Sequence, residues 1–167
     1  MRDDGRKWDA PPEYSQPLTG AGVRAARVWP QRQVLISAPD VLARIEAAGW
    51  PGVVRGDSYA LSLRRDRVLE VDGPPRDEGW DGRQAVTEVT DAYAVIQIEG
   101  PQALALCRRG TELSLSHPSR SVARQMFGLP VFLYRWQTED RFRLHTPRGY
   151  GQALWQTLAA HMRQMRP

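Results

Sequence analysis

The order of strand and helix patterns from residue 93 onward constrains the fold more than any other feature of this chain. Tyr93–Glu99 alternates apolar and polar residues, which is typical of a strand with one face in a core. A Gly-Pro step then opens a helix that ends at Gly110, two or three strands follow, and an amphipathic helix covers 150–165. This order predicts an α+β fold with ferredoxin-like split β-α-β units, in which helices cover one face of an antiparallel sheet.

Within that region the strand faces can be assigned. The segment 129–136 is apolar on both faces, as expected of an interior strand. In 141–145, Phe142 and Leu144 are predicted to point into the core. The alternate residues Arg141, Arg143 and His145 are predicted to point outward. In the last helix Tyr150, Leu154, Leu158 and Met162 recur every four residues and form the predicted core stripe.

Weaker patterns of the same kind come earlier in the chain. The apolar run 34–36 predicts a strand, and Ser37 begins an S-x-x-D pattern that predicts a helix ending at Gly49. Two further strands are predicted at 59–63 and 68–71 around a polar turn. This block either extends the same sheet or forms a second, similar half.

Residues 1–30 differ from the rest of the chain. They contain four prolines and no sustained periodicity, which predicts an extended N-terminal arm. The arm carries three large aromatic residues, Trp8, Tyr14 and Trp29, which favour a strap lying on another subunit over a mobile tail.

Length and composition fit one soluble domain. We predict a single α+β domain over 31–167, in which 31–84 and 85–167 are two candidate halves. The chain has no apolar run near the roughly 20 residues that span a membrane and no hydrophobic leader, so we expect a cytoplasmic protein without a membrane partner. The one cysteine, Cys107, falls in an apolar helix stripe and is predicted to be a small buried side chain.

Charge is distributed unevenly. Residues 101–167 carry ten basic and three acidic side chains, a balance of +7, whereas residues 31–100 carry eight and twelve, a balance of −4. All basic residues except Lys7 are arginine, which suits bidentate pairing at a partner surface. Mutational bias in the coding sequence is the alternative explanation for the arginine excess, but it does not explain the uneven placement.

A search for catalytic motifs finds none. The three histidines, His117, His145 and His161, have no partner at metal-ligand spacing, and no nucleophile motif is present. The G-x-G-x-x-A match at 20–25 does not follow a buried strand, as a dinucleotide-binding turn must. We therefore predict no catalytic, cofactor-binding or metal residue.

Nucleic-acid binding is a lesser alternative, suggested by the basic last third. Arg141, Arg143 and His145 are predicted to line the exposed face of one strand, but no aromatic ring lies between them to stack on bases.

Several short motifs resemble one known family, the gamma subunits of heterotetrameric sarcosine oxidases. The matching motifs are Asp91-Ala92-Tyr93, Gly100-Pro101, Phe142-Arg143-Leu144, Thr146-Pro147-Arg148 and Leu154-Trp155. With the residues around them they cover a little under half of the chain. The resemblance implies a fold related to the folate-binding aminomethyltransferases.

The resemblance also implies a role. Complexes of this family demethylate sarcosine or a related N-methyl amine oxidatively and pass the one-carbon unit to tetrahydrofolate. The gamma-type subunit carries no cofactor, and FAD, FMN, NAD and tetrahydrofolate are expected on the alpha-, beta- and delta-type partners. A stand-alone folate-binding, aminomethyltransferase-like protein is the alternative. The residues expected at the subunit interface are Asp91, Tyr93, Arg141, Arg143, Pro147, Arg148 and Trp155.

Overall fold

Two antiparallel sheets and three helices form the fold over residues 16–112 and 114–165, which are the residues that the computed structural model describes. In chain order the elements are β1 (Leu18–Gly20), β2 (Val23–Val28), β3 (Gln33–Ser37), α1 (Val41–Arg44), β4 (Val53–Val54), β5 (Tyr59–Arg64), β6 (Arg67–Val71), β7 (Gly79–Trp80), β8 (Ala85–Glu88), β9 (Tyr93–Glu99), α2 (Ala103–Gly110), β10 (Ala123–Met126), β11 (Leu129–Trp136), β12 (Arg141–Pro147) and α3 (Gly151–Gln164).

The large sheet has the order β1-β2-β9-β12-β11-β10, and the short strand β4 pairs in parallel with β11. The small sheet has the order β5-β6-β3-β8-β7. All neighbours other than β4 and β11 are antiparallel. The predicted α+β class with antiparallel sheets is confirmed.

The centre of the large sheet is a split β-α-β unit. Strand β9 leads through α2 to β11, and β12 lies between those two strands. The spatial order β2-β9-β12-β11 is that of a ferredoxin-like sheet. Its fourth strand comes from β2, ahead of the unit in sequence, where a ferredoxin-like chain would supply it at the end.

The predicted arm is therefore wrong for residues 18–28. Strand β2 pairs along most of its length with β9, from Arg24 opposite Glu99 to Val28 opposite Val95. The prolines and the lack of hydrophobic periodicity suggested an arm. The periodicity of this segment is weak because β1 has only three residues, lies at the edge of the sheet and is joined to β2 by a tight turn. The rest of the predicted arm up to residue 15, with Trp8 and Tyr14, lies outside the described residues.

The predicted helix over 37–49 is also largely wrong. Only Val41–Arg44 is helical, and Ile45 already has extended backbone angles. Ser37 belongs to β3, and Ala48 hydrogen-bonds through its N–H and its carbonyl with β5 at 2.8 and 2.9 Å. Pairing with a strand replaces the later turns because a short helix is marginal without extensive packing.

Helices α2 and α3 cover one face of the large sheet. Ile96, Ile98 and Leu144 from the sheet pack against Leu154 and Leu158 of α3, and all five are fully buried. The predicted stripe of α3 is confirmed except for Tyr150, which precedes the helix and is 47% exposed.

The other face of the large sheet lies against the small sheet. This layer contains an apolar cluster with contributions from both sheets, whose fully buried members include Leu61, Leu69, Val71 and Tyr134. It also contains the polar groups described next.

Candidate functional site

A continuous chain of hydrogen bonds crosses the layer between the two sheets. The hydroxyls of Tyr59 and Tyr134 are 2.7 Å apart, and the Tyr134 hydroxyl is 2.8 Å from Nε2 of His145. On its other side His145 Nδ1 is 2.8 Å from Oε1 of Gln33. Strands β5, β11, β12 and β3 each supply one of these side chains, so the network ties the sheets together.

The direction of each bond follows from the Gln33 end. Gln33 Nε2 donates to the carbonyl of Thr90 at 3.0 Å, so its Oε1 is the acceptor that faces His145. The proton of neutral His145 therefore lies on Nδ1, and Nε2 accepts from Tyr134. Tyr134 in turn accepts from Tyr59, which also receives an N–H of Arg143 at 3.3 Å.

Burial keeps this network uncharged. Desolvation, together with the nearby Arg143 guanidinium, lowers the pKa of His145 to about 3. Burial is also the main cause that raises the pKa of Tyr134 and Tyr59. At neutral pH these side chains are neutral, so the network positions the two sheets rather than offering a charged acid or base.

His145 was predicted on an exposed face, and that prediction is wrong. Its side chain is fully buried because the small sheet covers this face of β12. Arg143 is likewise partly covered, with its guanidinium carbon 3.5 Å from the centre of the Trp136 ring. An aromatic ring does lie beside this arginine, but as a buried packing partner.

Four of the predicted interface residues come together at one end of the large sheet. Tyr93 and Pro147 are opposite each other in the pairing of β9 with β12. Just beyond them, Arg148 Nη1 donates to Asp91 Oδ1 at 2.8 Å, in an ion pair whose side chains are 55% and 92% exposed. Arg148, expected to pair across an interface, thus has an acidic partner in its own chain.

The other three predicted residues lie elsewhere. Arg141 is at the opposite end of β12, where its Nε is 2.9 Å from Oε2 of Glu99. Arg143 lies within the layer between the sheets. Trp155 is 7% exposed and belongs to the core between α3 and the large sheet. The seven residues therefore do not form one surface.

Three large aromatic residues of the described chain are exposed, Trp29, Trp80 and Tyr150, and none of them was among the predicted interface residues. Trp29 is 68% exposed and follows β2, and Tyr150 lies in the 3₁₀ turn Arg148–Tyr150 that precedes α3. Tyr150 was predicted to be buried, because its spacing fits the core stripe of α3. The position of Trp29 at the end of a strand was not predicted, because the residues of β2 show no clear periodicity.

A cleft of about 700 Å³ lies between the segment 42–52 and residues 118–120. Its lining is mixed, with Trp50 and Ile45 beside the polar Ser62, Ser119 and Arg120. Its size lies within the range of small-molecule sites.

The remaining motifs singled out in the sequence can be checked one by one in the described residues. The predicted small, buried side chain of Cys107 is confirmed, and burial raises the pKa of its thiol to about 12. Gly22, in the G-x-G-x-x-A match, lies in the turn between β1 and β2 rather than between a strand and a helix.

Across 16–112 and 114–165, no three His, Cys, Asp or Glu side chains are grouped to hold a metal ion. No helix in the described part of the chain could cross a membrane.

Comparison with known proteins identifies solved structures that share this fold. No protein-family model and no curated protein matches this sequence. Among solved structures, the fold is shared with the glycine cleavage system aminomethyltransferase T from Bartonella henselae, with 15% identity and a TM-score of 0.50. That match covers 84% of this chain and 46% of the aminomethyltransferase, so this chain corresponds to about half of that protein.

A second structure matches along its whole length. A chain of the heterotetrameric sarcosine oxidase from Corynebacterium sp. U-96, in its complex with pyrrole 2-carboxylate, has 19% identity to this chain and a TM-score of 0.66. The match covers 98% of this chain and 95% of the oxidase chain. At these identities the similarity shows the fold, and the predicted resemblance to heterotetrameric sarcosine oxidase is confirmed at that level.

Proposed function

We propose that this chain is a noncatalytic gamma-type subunit of a sarcosine-oxidase-like heterotetrameric complex. The observation that carries the proposal is the end-to-end match to one chain of a heterotetramer, 98% of this chain against 95% of that one. The match to the aminomethyltransferase covers less than half of that protein. Similarity to a whole chain of an assembly favours a subunit role over that of a stand-alone transferase.

The proposed role is assembly and stability. In the complex, alpha-, beta- and delta-type subunits carry FAD, FMN, NAD and tetrahydrofolate and demethylate sarcosine or a related N-methyl amine in the cytoplasm. This chain supplies a body whose two sheets are joined by an apolar cluster and by the hydrogen-bond network. A neutral buried network fits that role, since it orders the two sheets without a charged group for chemistry.

The proposal is tested by purifying the tagged chain from its native host under mild conditions. Mass spectrometry identifies the proteins that accompany it, and the visible absorbance spectrum reports bound flavin. We expect flavin-containing large subunits in fixed ratio to the chain. A colourless chain that elutes without other proteins contradicts the proposal.

A folate-binding protein is the second candidate. The aminomethyltransferase likeness and the cleft of about 700 Å³ favour it. Titration of the isolated chain with tetrahydrofolate, followed by calorimetry, separates the two functions. Tight binding at one site favours the folate-binding protein, and no measurable heat favours the subunit.

A further inference from the structure

Two of the three exposed large aromatic residues in the described part of the chain lie at one end of the large sheet. Trp29 and Tyr150 are 68% and 47% exposed, and the ion pair of Asp91 with Arg148 lies at the same end. We call these four residues the aromatic surface. Large aromatic side chains are costly to leave in water and are enriched at the centres of protein interfaces.

The strand register places these residues together. Val28, the last residue of β2, is opposite Val95 of β9, so Trp29 lies beyond it, beside the start of β9. On the other side of β9, Tyr93 is opposite Pro147 of β12. The turn that holds Arg148 and Tyr150 follows directly. Trp29 therefore follows β2 and Tyr150 follows β12, two strands that flank β9 and end at the same edge of the sheet.

The Trp29 ring stacks on a charged side chain of its own chain. The guanidinium carbon of Arg27 is 3.7 Å from the ring centre, a cation–π stack that covers one face. Two-thirds of the residue nevertheless stays exposed. A ring that already stacks on a neighbour loses less conformational entropy on binding, which favours affinity.

The charges at this end indicate the class of partner. Asp91 offsets part of the charge of Arg148, so this end of the sheet lacks the concentrated positive charge that a phosphate backbone requires, which argues against nucleic acid. Arg148 bonds to Asp91 through one Nη atom only. The other N–H groups of the Arg148 guanidinium can meet a single carboxylate of a partner protein.

We propose that the aromatic surface is where this chain docks on a larger subunit of its complex, which presents apolar side chains to Trp29 and Tyr150 and a carboxylate to Arg148. The proposal rests on the function proposed above and adds the place and chemistry of the contact. It assigns the binding energy to the two rings, with Arg148 and Asp91 setting the orientation.

The test uses the full-length tagged chain with Trp29→Ala, Tyr150→Ala or Trp80→Ala. Trp80 is the matched control because it is 67% exposed, almost the same as Trp29, but lies on the edge strand of the small sheet. Each variant is titrated against the large subunits that the wild-type chain carries from its host. We expect Trp29→Ala to raise the dissociation constant about 30-fold or more, and Trp80→Ala to leave it unchanged.

Each other outcome has a defined meaning. Wild-type affinity in both Trp29→Ala and Tyr150→Ala overturns the docking surface but leaves the subunit role intact. Equal losses in Trp29→Ala and Trp80→Ala also overturn it, because the effect is then not local. A wild-type chain that brings no protein, or whose partners leave on nuclease treatment, overturns both this proposal and the proposed function. Circular dichroism of each variant confirms that it is folded.

Discussion

The two faces of the large sheet are held by different interactions. On one face Phe142 and Leu144 of β12 pack under α2 and α3 in a predominantly apolar core. On the other, Arg143 and His145 of the same strand join a hydrogen-bonded network with the small sheet, beside the apolar cluster that the two sheets share. Apolar packing gains free energy from burial alone, whereas a buried network costs free energy unless every member finds its partner.

The two faces therefore differ in what they contribute, one mainly to the stability of the fold and the other to the alignment of the two sheets. The helix face can tolerate small shifts, because apolar contacts have no direction. The network face requires Tyr59, Tyr134, His145 and Gln33 in one register, because each donor has one acceptor. We therefore expect the helix face to supply most of the folding free energy and the network face to fix the position of the small sheet on the large sheet.

The largest effect is expected from Phe142→Ala on the helix face. Phe142 is fully buried and stacks on Trp50 with ring centres 6.3 Å apart, so the change leaves a cavity. We expect a loss of about 3–5 kcal/mol in the free energy of unfolding, measured by urea denaturation. Tyr150→Ala is the exposed control, with an expected change within about 0.5 kcal/mol. A loss below 1 kcal/mol for Phe142→Ala would contradict the assignment of stability to this face.

A smaller effect is expected from Tyr134→Phe on the network face. The change removes the donor to His145 Nε2 and the acceptor for Tyr59, while the ring stays. Buried groups left unpaired should reduce the free energy of unfolding by about 1–3 kcal/mol. Tyr93→Phe is the matched control in the same layer, since the Tyr93 hydroxyl has no hydrogen bond to another described residue. Equal effects of the two variants would mean that the network contributes nothing.

The pH dependence isolates the histidine of this network. Its folded-state pKa of about 3 lies below the ordinary value of 6.5, so below pH 6.5 the unfolded chain binds the extra proton. The free energy of unfolding should therefore fall as pH falls from 6.5 towards 3, by at most about 1.4 kcal/mol per pH unit from this group. His145→Gln removes the titrating group, and its slope should be flatter by that amount. Parallel slopes for the two proteins would show that His145 is not buried and neutral.

The smallest effect on folding is expected from Arg148→Glu. The ion pair with Asp91 is exposed to solvent, so the isolated chain should change by less than about 1 kcal/mol. The dissociation constant of the assembly should rise about tenfold or more if Arg148 orients the docked partner. The double variant Asp91→Arg with Arg148→Glu restores the pair within the chain and serves as the control. An unchanged dissociation constant in Arg148→Glu removes this residue from the interface.

Local patterns predicted the elements around α2 and α3. The strands β9, β11 and β12 and both helices are marked by periodicity within their own residues, and each was predicted within a few positions. Strand β2 was missed because its identity as a strand comes from pairing with β9, about seventy residues later. The same reason explains the segment 37–49, whose second half pairs with β5 instead of continuing a helix.

The site was less predictable than the fold. His145 was placed on the surface because its covering partner, Gln33, lies 112 residues away in sequence. Asp91 and Arg148 were both predicted as interface residues. Their ion pair with each other was not predicted, because neither motif indicates where the other lies in the fold. Trp155 was assigned to an interface although its burial is within its own chain.

Native mass spectrometry of the assembly that the tagged chain carries from its host tests the subunit role most directly. We expect one copy of this chain bound to three different subunits, with masses that account for bound flavin. A free chain, or a particle that contains only copies of this chain, would contradict that role.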